Sequence, residues 1–321
     1  MSKYIRNVLL TSLRGAVLSA GLVFPAIAQD AATAVETPLS DYAASEDPPI
    51  FDTPEAAVDA FKTTVGSGDF DKLAVLLGLD AAKTKASEGA MDTYADIQAG
   101  VKEKVVVKDV EGRKVLEIGD ELWPLPFPIS KGDDGKWAFD TYTGLEEIAN
   151  RRVGENELQA IETVRAYVDA QQEYASEDHD GDGVLEYAQK LISSEGKRDG
   201  LYWPVAEEGS EESPAGEALA DGDALAKAKA GQGYFGYRYR ILTSQGENIA
   251  GGRYDYVING NMIAGYALVA WPVNYGASGV NTFVVSKDGI VYQADLGDDT
   301  EKIAADIRQF NPNDNWKTVK D

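Results

Sequence analysis

Cysteine is absent from the 321-residue chain and histidine occurs once, as His179. Without thiols there are no disulfide staples, no thiolate nucleophile and no lipidated cysteine anchor. A zinc site built from several imidazoles or thiolates cannot be assembled. A triad of the serine–histidine type has one available base, and no G-x-S-x-G motif accompanies it. Basic residues are also scarce, 30 against 54 acidic, for a net charge of -24. Such a surface repels nucleic-acid phosphates and anionic headgroups, so neither is an expected partner.

Long apolar runs are missing too, apart from one at the start. Lys3, Arg6 and Arg14 precede an apolar stretch from Gly15 to Ile27, which ends in Ala26-Ile27-Ala28. A charged start, a short apolar segment and an A-x-A end form a secretory signal peptide, residues 1–28, with cleavage near Ala28. The run falls short of the ~20 residues that span a bilayer. Arg14 stands alone, which argues against a twin-arginine signal. The expected location is periplasmic or secreted, with no membrane span in the mature chain. Its 27 basic and 54 acidic residues then make it more acidic still.

What remains suffices for two cores without staples. Residues 29–50 are rich in Ala, Asp, Glu and Pro and are expected to be a flexible leader. From Phe51 the pattern is helical. Thr53 is an N-cap, Pro54 opens the helix, and Ala57, Val58, Phe61 and Val65 form its stripe. Further helices are expected from Asp69 and over 84–99. Strands follow at 105–107, 114–118, 122–129 and 136–140, closing an N-terminal α+β domain over 51–150. The domain over 151–321 opens with a helix at 155–176, on which Leu158, Ile161, Val164, Val168 and Ala175 recur at helical spacing. A shorter helix is expected through Tyr187, Leu191 and Ile192 to Gly196. An acidic loop spans 206–232, with room for one helical turn. Alternating strands then run from Tyr237 to Gln293, and a helix from Thr300 to Phe310 closes the chain. The fold class is α+β, each domain packing helices on a mainly antiparallel sheet.

Three motifs invite chemistry. Asp178-His179-Asp180-Gly181-Asp182-Gly183 matches the start of an EF-hand loop. Asp178, Asp180 and Asp182 would be calcium ligands, joined by the Val184 carbonyl and Glu186, with Gly183 permitting the turn. Position twelve holds Gln189 in place of the bidentate glutamate, so affinity would be weak; an acidic turn explains the same residues. Gly231-Gln232-Gly233-Tyr234-Phe235-Gly236 spells the dinucleotide fingerprint, but a strand follows where a helix belongs. Tyr237, Tyr239, Tyr254, Tyr256 and Trp271 could line a ligand groove for sugar or peptide, or could be sheet core. No catalytic residue and no required cofactor stand out.

The stretches Gly200-Leu201-Tyr202-Trp203-Pro204, Gly236 to Leu242, and Ala270-Trp271-Pro272-Val273-Asn274-Tyr275-Gly276-Ala277-Ser278-Gly279 resemble an uncharacterised family of bacterial exported proteins, domain-of-unknown-function family 2950. The resemblance covers about residues 50–316. It implies an envelope or secreted location and carries no activity. Phe51–Gly78 looks like the opening helices of the nuclear-transport-factor-2-like superfamily. Residues 157–297 are similar to pilin-like soluble domains, although a whole domain precedes them where a pilin has its apolar helix. The function expected is that of a non-catalytic envelope module for binding or assembly, partnered by an envelope protein or surface polymer. The alternative is a carboxylate-dependent hydrolase of cell-wall glycan or peptide.

Overall fold

The computed structural model describes residues 39–204, 212–216 and 221–320. The expected signal peptide, the first part of the expected leader and much of the acidic loop lie outside the described residues. The chain divides into two compact units at Asn150/Arg151, each with helices and a mainly antiparallel sheet, an α+β architecture.

In the first unit local rules act as the sequence suggests. Helix α1, Pro54–Ser67, starts where the Thr53 hydroxyl accepts from the Ala56 N–H, and stops at Gly68 in the left-handed conformation. Its buried residues are Ala57, Val58, Phe61 and Val65. Helix α2, Phe70–Leu76, is capped by Asp69. The single helix expected over 84–99 is two, α3 (Ala81–Ala86) and α4 (Ala90–Glu103), because Gly89 sits in the left-handed region between them. Strands β1 (Val105–Val110) and β2 (Arg113–Ile118) form a hairpin. The strand expected over 122–129 is broken into β3 (Trp123–Pro124) and β4 (Ile129–Lys131). Pro124, Pro126 and Pro128 lack the N–H groups that a continuous ladder needs. Strand β5, Trp137–Phe139, pairs with β4.

The leader is structured in its described part, contrary to expectation. Leu39–Tyr42 forms a 3-10 turn. The Ala44 N–H donates to Gly78 O and the Asp80 N–H to Tyr42 O, both at 2.8 Å. Leu39, Tyr42 and Ala43 pack against the first core. These side chains are apolar enough to offset the cost of ordering a short segment.

Helix α5 is longer than expected, Thr141–Tyr174, and the division between units falls within it. In the first unit Leu145 is buried, and the Thr141 hydroxyl donates to Leu77 O at 2.8 Å. In the second unit the buried face is Ala160, Val164, Tyr167, Gln171 and Tyr174, whereas Leu158 is exposed. No helix follows through Tyr187 to Gly196. That stretch is extended: the Tyr187 N–H donates to Met262 O, and Tyr202 and Leu201 donate to Leu191 O and Lys190 O. Its backbone groups have found partners on other segments instead of four residues away.

The Ala/Lys-rich turn is a helix, α6, Gly222–Lys229, capped by Asp221. Strand β6, Tyr237–Leu242, follows. Within the alternating run, the stretch at 253–258 is split into two short strands. Its halves, β8 (Tyr254–Asp255) and β9 (Val257–Ile258), pair with β7 (Ser244–Gln245) and β10 (Asn261–Met262). Strands β11 (Ala267–Pro272), β12 (Asn281–Ser286) and β13 (Tyr292–Asp295) form the meander, and β6 joins on the far side of β11. All six residues of β11 are buried, as befits the strand with neighbours on both edges. Helix α7 is Thr300–Asp306, shorter than expected. The polar tail adds an edge strand, β14, Lys317–Thr318.

Candidate functional site

The carboxylates of Asp178, Asp180 and Asp182 converge at the end of α5. One oxygen from each lies within 4.8 Å of the others, and all three residues are exposed. The turn is built by its own backbone. Asp178 accepts from the Gly181 N–H at 2.7 Å and the Gly183 N–H at 2.9 Å; Asp182 accepts from the Val184 N–H at 2.8 Å. Gly183 has φ +84, a conformation that a side chain would strain. The Gly183 and Gly181 N–H donors hold the Asp178 carboxyl below the usual carboxylate range. Calcium–oxygen distances of about 2.3–2.6 Å let ligands of one ion lie up to ~5 Å apart, so the observed spread fits a shared hard cation.

The rest of the loop departs from an EF-hand. Glu186 is turned toward the β9–β10 hairpin and accepts from the Met262 N–H at 3.0 Å. Gln189 donates to Gly260 O at 2.7 Å, and Asn261 donates to the second oxygen of Asp182 at 2.7 Å. The segment leaving the loop is extended rather than helical. The structure therefore brings together Asp178, Asp180 and Asp182; Glu186 serves the hairpin, and Val184 acts through its N–H. His179 stacks on Tyr174 at 4.0 Å, and its Nε2 lies 3.0 Å from Tyr174 O. Burial, followed by the carboxylates of Glu186, Asp199 and Asp180, pushes the Tyr174 hydroxyl up to about 12.

The five aromatic candidates do not form an open groove together. Tyr237, Tyr256 and Trp271 are core, and Tyr239 and Tyr254 are half-buried against it. Their polar tips find partners inside. Tyr237 donates to Asn281 O at 2.8 Å, Tyr256 to Gln245 Oε1 at 3.3 Å, and the Trp271 indole to Glu301 at 3.1 Å. Gly279 lies so close to the Tyr237 ring that an added Cβ would meet its hydroxyl at 2.1 Å. In the fingerprint-like glycine run, α6 precedes and β6 follows, the reverse of the dinucleotide order.

Residues that pattern reading missed hold the loops. Glu157 accepts from the N–H groups of Val280 and Asn281, both at 2.9 Å, and from the Asn281 amide. Buried Gln171 donates to Ala188 O and accepts from the Ala188 N–H, both at 2.8 Å, and donates to the Tyr167 hydroxyl at 3.0 Å. Asp199 accepts from Lys190 at 2.6 Å and from the Ser194 N–H at 2.7 Å. Lys190 also lies 2.8 Å from the Ser194 hydroxyl. This trio looks like a nucleophile beside a base, but the Lys190 side chain is ion-paired with Asp199 and donates to the Ser194 hydroxyl, so it clasps a loop.

These features define an α+β protein of two units whose second unit carries loops tied down by polar clasps and one acidic turn. A family model described as "Protein of unknown function (DUF2950)" matches residues 49–319, and the chain belongs to that family. No curated protein and no solved structure matches the chain. Among the described residues no helix is long and apolar enough to cross a membrane.

Proposed function

We propose that the protein is exported by a signal peptide at residues 1–28 and works in the periplasm or outside the cell as a non-catalytic module for binding or assembly. Its partner is another envelope protein or a surface polymer. The observation that carries this reading is where the polar side chains of the second unit go. Glu157, Gln171, Asp178 and Asp199 each accept from backbone N–H groups of loops. Held this way, loops present a fixed surface, which lowers the ordering cost of association. Crosslinking in living cells followed by pull-down of the mature protein is expected to recover a specific covalent partner. Recovery of monomer alone would overturn the reading.

A second reading adds calcium, favoured by the convergence of the Asp178, Asp180 and Asp182 oxygens. The cation would offset repulsion among three carboxylates and brace the turn against Asn261. With Gln189 turned away, affinity belongs in the weak range of about 10⁻⁴–10⁻³ M. Calorimetric titration should give heat for the wild type and none for Asp180→Ala. Equal, negligible heats in both would remove calcium.

A further inference from the structure

The structure points to a site outside the acidic turn. The C-terminal end of α7 and the segment leading to β14 enclose an open groove of about 580 Å³, lined by Ser244, Ile307, Arg308, Gln309 and Trp316 among others. Its size lies in the ~300–1,000 Å³ range of small-molecule sites. We propose that this groove binds an acidic saccharide, with the sugar carboxylate on Arg308 and one ring face on Trp316.

The charge arrangement favours this ligand. A helix C-terminus carries partial negative charge, which would repel an acid. Here the Arg240 guanidinium, stacked 5.3 Å from the Trp271 ring, reaches up from β6 and donates to Ala304 O at 2.9 Å, Ala305 O at 3.0 Å and Ile307 O. The helix end is thus neutralised from beneath. Arg308, one residue past the last of these carbonyls, is exposed at the lip. Among the described residues its guanidinium has no ion pair or hydrogen bond, although acidic residues outnumber basic ones 54 to 30. A planar guanidinium matches a carboxylate with two parallel hydrogen bonds.

The other lining residues select a sugar rather than a bare anion. Trp316 is half-buried, packed on the second core on one side and contributing to the groove on the other. An indole face suits the C–H face of a pyranose. Gln309, half-buried in the lining, offers an amide to ring hydroxyls. Asp306, also in the lining, can accept from a sugar hydroxyl and disfavours ligands of high negative charge density. The inference rests on the binding reading above and names the surface-polymer branch of it.

The test uses the full mature chain and two linear trisaccharides, one of uronic acids and one neutral, followed by calorimetry. The wild type is expected to bind the uronic trimer about tenfold more tightly than the neutral one, the difference expected of a charge-assisted hydrogen bond. Arg308→Gln should erase that preference by weakening uronic-trimer binding about tenfold. Trp316→Ala should weaken both by about tenfold, and Trp316→Phe, which keeps the core packed, should retain most of the affinity. Equal affinity for the two trimers, unchanged affinity in Arg308→Gln, or no heat with either trimer at millimolar concentration would overturn the site. If cells then still yield a covalent protein partner, the binding module stands and only the saccharide falls.

Discussion

The two units are held by different means. In the first, the helix starts are set by local caps and the core is apolar: α1 and α2 are capped by Thr53 and Asp69, and their stripes close over Leu116, Ile118 and Phe139. In the second, polar side chains reach far along the chain, and one of them, Gln171, is buried in the core. Glu157 holds Asn281 across 124 residues, and Gln172 meets the Tyr266 hydroxyl across 94. An apolar core tolerates a change of shape, because its loss is area and volume. A polar clasp does not, because removing one partner strands the other without water. The second unit is therefore the one whose surface loops are fixed, and the one in which single substitutions should act through hydrogen bonds.

The strongest probe of this contrast is volume loss in the first unit. Phe61 is fully buried, its ring 5.9 Å from Phe139. Phe61→Ala should cost about 3–5 kcal/mol, whereas Phe61→Leu should cost roughly 1.5 kcal/mol or less. Urea unfolding followed by circular dichroism gives both values. Gln171→Leu is the matching change in the second unit, apolar and of similar volume. It leaves the Ala188 N–H and C=O without their partner, while the Tyr167 hydroxyl keeps its bond to Ala267 O, at a cost of about 2–4 kcal/mol. Hydrogen exchange should locate the loss at the Ala188 amide. Should Gln171→Leu prove as mild as Phe61→Leu, with Ala188 still protected, the distinction between the units disappears.

A weaker effect follows from the first unit's capping. Thr53→Ala removes the acceptor for the Ala56 N–H, and should lower stability by about 1 kcal/mol, with Thr53→Ser restoring most of it. Rescue by serine marks a cap; failure of rescue would mean that the threonine methyl matters more than its oxygen.

This contrast also explains what the sequence makes visible. The cap at Thr53 and the stripe Ala57, Val58, Phe61 and Val65 are legible because every signal lies within a few residues of its effect. The Asp178–Asp182 turn is legible for the same reason. The fates of Glu186 and Asp182 are not, because their partners Met262 and Asn261 lie 76 and 79 residues away. The spacing of Tyr187, Leu191 and Ile192 suits a helix, but pairing with Met262 and Tyr202 overrides it. Alternation correctly marks Tyr237 and Tyr239 as strand residues. It cannot say that the Tyr237 hydroxyl is satisfied inside, and so that the ring is core rather than groove. The buried face of α5 includes Gln171 and two tyrosines, which a search for aliphatic residues passes over.

Acid supplies the smallest and most specific test. The hydrogen bond from the Lys190 ammonium, then that of the Ser194 N–H, hold the Asp199 carboxyl down to about 2, against an ordinary value of 3.8. An acid whose value is depressed by folding stabilises the fold above its unfolded value, and that contribution leaves as pH falls from about 3.8 through about 2. The Asp199 side chain is 33% exposed, and its partner Lys190 50%, so solvent screening keeps the effect below ~1 kcal/mol. A carbon-detected NMR titration should therefore place the Asp199 midpoint near 2, and Lys190→Met should return it toward 3.8. Asp69, the cap of α2, is also held below its ordinary value, first by a hydrogen bond from Lys72 four positions before Leu76. That bond is local and solvent-exposed, so Lys72→Met should raise the Asp69 midpoint and lower urea stability at neutral pH only slightly. An ordinary midpoint for Asp199 in the wild type would mean that the 190–199 clasp is open in solution, and that the fixed loops of the second unit owe their order to something other than these carboxylates.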